Sequence, residues 1–170
     1  MKQIYFAGGC FWGTEHFMKQ IEGVVRTEVG YANSIVENPS YQQVCTGNTH
    51  AAETVKVEYD PAQVDLAFLM DLYFEMIDPT SLNQQGPDVG TQYRTGIYFV
   101  DAADEEIIRE AVQRLANKYT EPVVVEVLPL ENFFAAEDYH QDYLDKNPSG
   151  YCHVSRALIE MARNARKNKE

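Results

Sequence analysis

Residues 8–13 read Gly-Gly-Cys-Phe-Trp-Gly, and this stretch decides where the chain turns from strand to helix. The apolar residues 3–7 before it predict a short strand, which the two glycines end. The residues after it, Phe11–Ile21, predict a helix that ends at Gly23. Cys10 is therefore expected at the first turn of this helix, beside unpaired backbone N–H groups.

Outward from this stretch, the polarity pattern predicts further strands and helices. Strands are predicted over residues 25–31, 55–59, 95–100 and 122–128. Helices are predicted to begin at Asp60-Pro61, to cover Ala103–Tyr119, and to begin again at Val154, with Arg163, Arg166 and Lys167 near the last C-terminus. Between them, residues 79–90 read as a long loop and residues 136–143 as a helical turn.

The order of these elements favours one fold class. Strands and helices follow one another as β-α-β-β-α-β-α-β, with strands adjacent in the chain near the centre. This order predicts an α+β fold, a ferredoxin-like two-layer sandwich with a mixed or antiparallel sheet and an extended C-terminal segment. Without repeats or a linker, residues 1–170 are expected to form a single domain.

The composition narrows the classes of function. Of the 170 residues, 45% are hydrophobic, and the formal net charge is −12. So acidic a chain is not expected to bind nucleic acid, which requires clustered cations. No apolar run approaches the roughly 20 residues that span a bilayer, and the apolar stretch at the N-terminus is too short for a signal peptide. We therefore expect a cytoplasmic protein without a membrane partner.

Cys10, Cys45 and Cys152 are the only cysteines in the sequence. In a reducing compartment an odd set of three favours a catalytic or redox thiol over a disulfide framework. The helix N-terminus predicted at Cys10 would stabilise its thiolate, and the glycines before it leave room for a ligand. The alternative is a structural cysteine buried among aromatic side chains.

Five blocks of sequence resemble the A-type peptide methionine sulfoxide reductases. The first is Gly-Cys-Phe-Trp-Gly at residues 9–13. The others are residues 38–47 with Glu53, Tyr59-Asp60-Pro61, residues 88–94, and residues 139–144 with Asn147-Pro148 and Gly150-Tyr151-Cys152. The resemblance covers residues 4–153. It implies an enzyme that reduces methionine sulfoxide, free or in proteins, and acts on the S epimer at sulfur.

By this resemblance, Cys10 is the nucleophile that takes the sulfoxide oxygen and becomes a sulfenic acid. Phe11 and Trp12 hold the methyl group of the substrate, which orients its sulfur. Glu53 occupies the position of the acid, which needs a raised pKa to keep its proton at neutral pH.

Three further residues complete the implied pocket. Tyr41 and Tyr93 match two hydroxyl donors that would hold the oxygen as its charge grows, and Asp88 matches an acidic residue of the same pocket. Without the resemblance each has an ordinary explanation. A tyrosine is usually core or surface, Glu53 would be a solvated charge, and Asp88 would form a turn.

Recycling is assigned to the C-terminal block. Cys152 matches the resolving position, so the resemblance implies a Cys10–Cys152 disulfide that thioredoxin reduces. No cysteine follows it, and Cys45 is interpreted as structural. We expect a monomer that uses no cofactor and binds no metal, since the histidines do not pair with cysteines at zinc spacing.

The sequence departs from the family pattern at two histidines, and two alternative functions are left open. The histidine before Glu53 stands one place early, at His50, and His153 replaces a residue that is often small. A thiol peroxidase would also use a helix-start cysteine, but would not need the aromatic methyl pocket. A non-enzymatic module for methionine-containing peptides would not need the Cys10 thiol.

Overall fold

The computed structural model describes residues 1–166. The strands are β1 (Lys2–Gly8), β2 (Val24–Ala32), β3 (Ala52–Tyr59), β4 (Gln84–Gln85), β5 (Asp88–Val89), β6 (Thr95–Phe99), β7 (Glu126–Pro129) and β8 (Phe133–Ala135). The helices are α1 (Phe11–Met18), α2 (Tyr41–Cys45), α3 (Leu66–Met76), α4 (Asp104–Ala116), α5 (Tyr143–Lys146) and α6 (Arg156–Asn164). Short 3-10 turns cover Thr91–Tyr93 and Asp138–His140.

Six strands form one sheet in the order β7-β6-β1-β3-β2-β8. Only the β6–β7 pair is parallel, and the other four pairs are antiparallel. The predicted α+β class with a mixed sheet is therefore confirmed. Its finer description as a ferredoxin-like two-layer sandwich stays a prediction.

The main core lies between the sheet and the helices. It joins Phe6 and Val55 of the sheet to Phe17 of α1 and Leu69 of α3, all fully buried. On the opposite face, the chain around Phe133 covers a smaller cluster built on Tyr5, Ala7, Ala32, Ala52 and Tyr98. Both faces of the central strands are thus buried, which explains why β1 reads as a continuous apolar run.

The predicted helix start at Asp60-Pro61 is wrong. The Asp60 carboxylate accepts hydrogen bonds from Ala62 N at 2.9 Å and Gln63 Nε2 at 3.0 Å, but the helix does not begin until Leu66. The N-cap is Asp65, whose carboxylate accepts the Phe68 N–H at 2.9 Å. Residues 60–63 form a turn with the same local chemistry as a cap.

Other elements differ from the predictions in length. The strand predicted over residues 122–128 pairs only from Glu126, because Val124 N donates to the carbonyl of Pro79. The last helix begins at Arg156 with Ser155 as N-cap. Its predicted basic residue Lys167 lies outside the described residues.

Two short pieces of structure that the sequence did not predict position the site. Within the predicted loop at residues 79–90, β4 and β5 pair as a hairpin that carries Asp88. Before β3 the chain forms α2, which Ser40 and Gln43 begin as a capping box. Within residues 1–166, no helix is both long and apolar enough to cross a membrane.

Candidate active site

Cys10 stands at the N-cap of α1, directly after β1. Gly9 makes the turn with φ +88°, a conformation that favours glycine. The backbone N–H groups of Trp12 and Gly13 donate to the Cys10 sulfur, as expected at a helix N-terminus. The residue is only 8% exposed, so its thiol lies at the bottom of the site.

The backbone N–H groups at this helix start favour the Cys10 thiolate, as expected, but burial of the sulfur acts in the opposite direction. Burial raises the pKa of the Cys10 thiol, and the carboxyl groups of Glu53 and Asp88 raise it further. The two backbone N–H groups lower that pKa, but by less. Burial is therefore the main cause that favours the Cys10 thiol, and the charge of Glu53 is the next.

Glu53 extends from β3 to the backbone of Cys10's neighbour. Its Oε1 accepts the Phe11 N–H at 3.1 Å, while its Oε2 is buried with no hydrogen-bond partner. Burial raises the pKa of this carboxyl group to about 8, and Asp88 adds to the effect. The raised pKa agrees with the sequence-based expectation. At neutral pH, Glu53 is a neutral acid whose proton has no acceptor.

Two tyrosine hydroxyls face the same carboxyl group. Tyr41 begins α2, and Tyr93 ends the 3-10 turn after β5. Burial raises the pKa of both phenols, and the Glu53 charge is the next largest cause for each. For Tyr93 the charges of Cys10 and Asp88 also contribute. Both hydroxyls therefore keep their protons. That of Tyr93 lies near Glu53 and Cys10, whereas that of Tyr41 lies near Glu53 and donates to the Cys45 sulfur.

Asp88 belongs to the same group of polar side chains, and it is hydrogen-bonded to Tyr151. The sequence analysis did not single out Tyr151 as a site residue. The Tyr151 hydroxyl donates to Asp88 Oδ2 at 2.7 Å. Burial and Asp88 raise the pKa of the Tyr151 phenol, and Cys10 and Tyr93 are also close enough to contribute. The signal available in the sequence was its position beside Cys152.

The aromatic residues after Cys10 occupy different depths. Trp12 is partly exposed and stacks on Tyr143, with ring centroids 3.7 Å apart and planes 7° from parallel. Phe11 is only 1% exposed and lies between Tyr31 and His140. Trp12 can therefore offer a face to a ligand, whereas Phe11 is buried and shares only the His140 ring with it.

His140 and Glu137 support this wall and were not predicted as site residues. His140 accepts the Trp12 Nε1–H on Nδ1 at 3.0 Å and packs against the Tyr41 ring. Glu137 accepts hydrogen bonds from the Tyr31 hydroxyl at 2.8 Å and from Tyr41 N at 3.0 Å. The block at residues 139–144 indicated His140 in the sequence, whereas Glu137 lies outside every block.

Cys152 lies against the other side of α1. Its thiol donates to the carbonyl of Val154 at 3.3 Å, and burial raises its pKa. A Cβ placed on Gly13 would come within 3.3 Å of the Cys152 sulfur, so glycine there allows the close approach. Cys152 also lines a cavity of about 710 Å³ with His16 and Leu144. All three cysteines are free.

Cys45 and His50 are both exposed. Cys45, which was interpreted as structural, lies at the end of α2 and receives a hydrogen bond from the Tyr41 hydroxyl. His50 is exposed, and its backbone carbonyl accepts a hydrogen bond from Arg94. Among residues 1–166 no three His, Cys, Asp or Glu side chains gather as metal ligands.

A buried thiol beside a neutral carboxyl group, two phenols and a second free thiol defines a thiol-dependent oxidoreductase site on an α+β fold. The comparisons with known proteins then identify the family. Residues 2–170 match the family described as peptide methionine sulfoxide reductase, and the chain belongs to it. It is an oxidoreductase that acts on methionine sulfoxide, and the A-type resemblance found in the sequence is confirmed.

The relatives cover almost the whole chain. The peptide methionine sulfoxide reductase MsrA of Lachnoclostridium phytofermentans is 54% identical over 96% of this chain and 99% of its own length. The reduced form of Mxr1 from Saccharomyces cerevisiae has a TM-score of 0.86 and 40% identity, covering 91% of each chain. The same yeast protein in complex with Trx2 has a TM-score of 0.60 and 26% identity, covering 84% of each chain.

Proposed function

We propose that this chain, as one domain, reduces the S epimer of methionine sulfoxide, free or in proteins, through a Cys10 sulfenic acid and a Cys10–Cys152 disulfide that thioredoxin recycles. The observation that carries this proposal is the Glu53 carboxyl group. It is 1% exposed, holds its proton to about pH 8, and has one oxygen without a partner beside Cys10. A sulfoxide oxygen, a strong acceptor, is a suitable partner for that proton.

The first step transfers oxygen to Cys10. The Cys10 sulfur attacks the sulfoxide sulfur as a thiolate, after its proton has left to solvent. Glu53 donates its proton to the oxygen, which Tyr41 and Tyr93 hold as charge develops. The oxygen then leaves with Cys10 as a sulfenic acid, methionine departs, and Glu53 regains a proton from water.

The acid and the nucleophile depend on each other. An ionised Glu53 would raise the pKa of the Cys10 thiol, whereas a neutral Glu53 removes that repulsion. The N–H groups of Trp12 and Gly13 then stabilise the thiolate. The reactive state of the pair therefore holds one proton, on the carboxyl group.

Recognition of the substrate is assigned to the aromatic wall and Asp88. The indole of Trp12, fixed by Tyr143 and His140, offers a flat apolar surface for the methyl group. Phe11 packs against the same His140 ring, and Asp88, held by the Tyr151 hydroxyl, lies near Cys10. The choice of the S epimer rests on the resemblance to A-type reductases.

The second step regenerates the enzyme. Cys152 attacks the Cys10 sulfenic acid, water leaves, and thioredoxin reduces the disulfide by thiol exchange. The structure of the yeast relative with Trx2 supports a thioredoxin-type partner, and the cavity beside Cys152 gives such a dithiol an approach. We expect a cytoplasmic monomer that repairs oxidised proteins under oxidative stress.

Mass spectrometry after one equivalent of methionine sulfoxide, without reductant, tests the proposal. We expect one methionine per protein and a peptide in which Cys10 and Cys152 are joined. Cys10→Ser should form no methionine, and Cys152→Ser should form one and then stop. Sustained thioredoxin-driven turnover by Cys152→Ser would contradict the scheme, as would faster consumption of hydrogen peroxide than of the sulfoxide.

A further inference from the structure

His153 is a partly buried histidine outside the proposed substrate pocket, next to the resolving thiol in the chain. Its Nε2 lies 2.9 Å from the carbonyl oxygen of Gly8. A carbonyl only accepts hydrogen bonds, so Nε2 carries the proton in the neutral ring. The other nitrogen, Nδ1, then presents a bare lone pair, and it is buried without a hydrogen-bond partner.

The His153 imidazole packs closely against Gly9 and Gly13, which lie before and after Cys10 in the chain. A Cβ on Gly9 would come within 2.9 Å of His153 Nε2, and a Cβ on Gly13 within 2.7 Å of Nδ1. Any larger residue at either position would displace the imidazole. The glycines of the Gly-Cys-Phe-Trp-Gly stretch thus form a cradle for His153 as well as a turn.

The bare nitrogen and the resolving thiol meet at the same glycine. The Cβ position of Gly13 lies 2.7 Å from His153 Nδ1 and 3.3 Å from Cys152 Sγ. The Cys152 thiol donates to the carbonyl oxygen of Val154, which accepts a hydrogen bond but is too weak a base to take the thiol proton. Nδ1 of His153 is a stronger base next to the same glycine as the thiol.

Burial and the groups near His153 act on the pKa of its ring in opposite directions. Burial lowers the pKa of His153, so the ring is neutral and can accept a proton. The Asp88 charge and the Gly8 carbonyl both stabilise the protonated ring. The titratable and charged side chains that line the cavity at Cys152 are those of His16, Asp145, Arg156, Glu160 and Arg163.

We propose that His153 Nδ1 accepts the thiol proton of Cys152 as Cys152 resolves the Cys10 sulfenic acid. The Cys152 S–H bond breaks, the S–S bond forms, and the S–O bond of Cys10 breaks. The departing hydroxide takes the proton from Nδ1 and leaves as water, while Cys152 is oxidised and Cys10 reduced. This inference rests on the proposed function, since it requires Cys152 to be the resolving thiol.

His16 is the competing base, because it also lines the Cys152 cavity and has a buried Nδ1 without a hydrogen-bond partner. That atom lies 3.9 Å from Asp145 Oδ1, which would attract a ring proton there. His153 is favoured because the Gly8 carbonyl fixes its tautomer, leaving Nδ1 as the acceptor.

Single-turnover kinetics separate the two histidines. Reduced protein is mixed with methionine sulfoxide, quenched with an alkylating reagent, and assayed for methionine and for joined Cys10–Cys152. His153→Gln keeps an N–H for the Gly8 carbonyl but provides no base, and His16→Gln is the matched control. We expect His153→Gln to slow disulfide formation at least tenfold, more than methionine formation, and to lose the rise of that rate with pH on the acid side of neutrality, where the wild-type ring loses its proton.

Each other outcome is decisive. Disulfide formation in His153→Gln at the wild-type rate, with the wild-type pH dependence, would overturn the inference and leave the proposed function intact. Loss of the pH dependence in His16→Gln instead would assign the base to His16 and also overturn it. Absence of the Cys10–Cys152 disulfide in the wild-type protein would overturn the proposed function itself.

Discussion

At the level of single residues, Glu53 carries an electrostatic cost. Its carboxyl group is buried, one oxygen has no partner, and its pKa is raised to about 8. Burying an ionisable group in this way disfavours its charged form and opposes folding above the ordinary pKa. The same cost keeps a proton available where the substrate oxygen would lie.

The rate of methionine formation should report this proton. In the reactive state Glu53 is neutral and Cys10 ionised, so the pair must lose one of the two protons it holds at low pH. The wild-type rate should therefore rise with pH and level off near pH 8. In Glu53→Gln we expect a rate lower by roughly 10²–10⁴ and no inflection near pH 8.

Stopped-flow or quenched single turnovers between pH 5.5 and 9.5 measure this profile, with tyrosine-to-phenylalanine variants at 41 and 93 for comparison. Those variants should lower the rate but keep the inflection, because they remove hydrogen bonds and not the titrating group. A Glu53→Gln protein that retains the inflection would show that another group titrates there.

Stability should respond to the same substitution in the opposite sense. Below the unfolded-state pKa of about 4.3, Glu53 is neutral in both states and costs nothing. Between that pH and about 8 the unfolded state ionises while the folded state holds its proton, so folding stability falls as pH rises. Glu53→Gln should therefore stabilise the protein by on the order of 5 kcal/mol at pH 8.5 and little at pH 4.5.

Urea unfolding at the two pH values tests this, with Glu58→Gln on the same strand as control. An equal gain at both pH values would mean that relief of ionisation is not the cause. The raised pKa of Glu53 was predictable from an acid needed in an apolar pocket. The raised pKa of Cys10 was not, since the sequence showed the helix start but not the burial or the nearby carboxyl groups.

At the level of elements, the start of α1 has to meet two opposing requirements. Alanine in place of glycine inside a helix normally stabilises it by about 1 kcal/mol. At Gly13, however, a Cβ would lie 2.7 Å from His153 Nδ1 and 3.3 Å from Cys152 Sγ. Glycine is retained at a conformational cost because the C-terminal segment packs there.

Gly13→Ala should therefore behave unlike an ordinary helix substitution. We expect no gain in melting temperature, and disulfide formation slowed more than methionine formation, because the side chains of Cys152 and His153 are displaced. Thermal melts and alkylation rates of Cys152 measure the two effects. A stabilised variant with unchanged disulfide formation would show that the segment adjusts freely.

The capping box of α2 should matter to the site because Tyr41 is the first residue of that helix. Ser40→Ala removes the acceptor for Gln43 N, a loss of about 1 kcal/mol. We expect slower methionine formation as well, since Tyr41 is less firmly held. Asp65→Ala removes the cap of α3 and is the control: a similar loss of stability should leave the rate nearly unchanged, and an equal loss of rate would indicate general loosening.

Local patterns predicted elements best where tertiary contacts agreed with them. The predicted strand and helix around residues 8–13 and the helix over 103–119 were close to the observed bounds. Asp60-Pro61 misled because a cap and a turn share the same side-chain hydrogen bonds. The two-residue strands β4 and β5 were missed because such short pairs leave no periodic signal.

For the whole molecule, the arrangement of the two thiols could not be deduced from their spacing in the chain. Cys10 faces Glu53 and Tyr93, whereas Cys152 lies against Gly13 beside a separate cavity. The resemblance named both cysteines, but only the fold places His153 and Cys152 together against Gly13. Cys152 and His153 reach α1 because residues 130–166 fold back over the sheet and the helices.

Net charge should influence which substrates reach the site fastest. The protein carries a formal net charge of −12, and Asp88 and Glu137 lie close to the proposed pocket. Such a field attracts cations and repels anions over about 10 Å at 0.1 M salt. Peptides with lysine beside methionine sulfoxide should therefore react with higher kcat/KM than peptides with glutamate at low ionic strength.

The difference between the two peptides should shrink several-fold between 10 mM and 500 mM NaCl, because salt screens long-range attraction but leaves the chemistry in the buried site unchanged. A neutral serine-flanked peptide serves as the control and should vary little over the same range. Steady-state kinetics with a chemical dithiol as reductant keep the charge of a protein partner out of the measurement. A preference that persists unchanged at 500 mM would instead indicate direct contact between the lysine and an acidic side chain at the rim of the pocket.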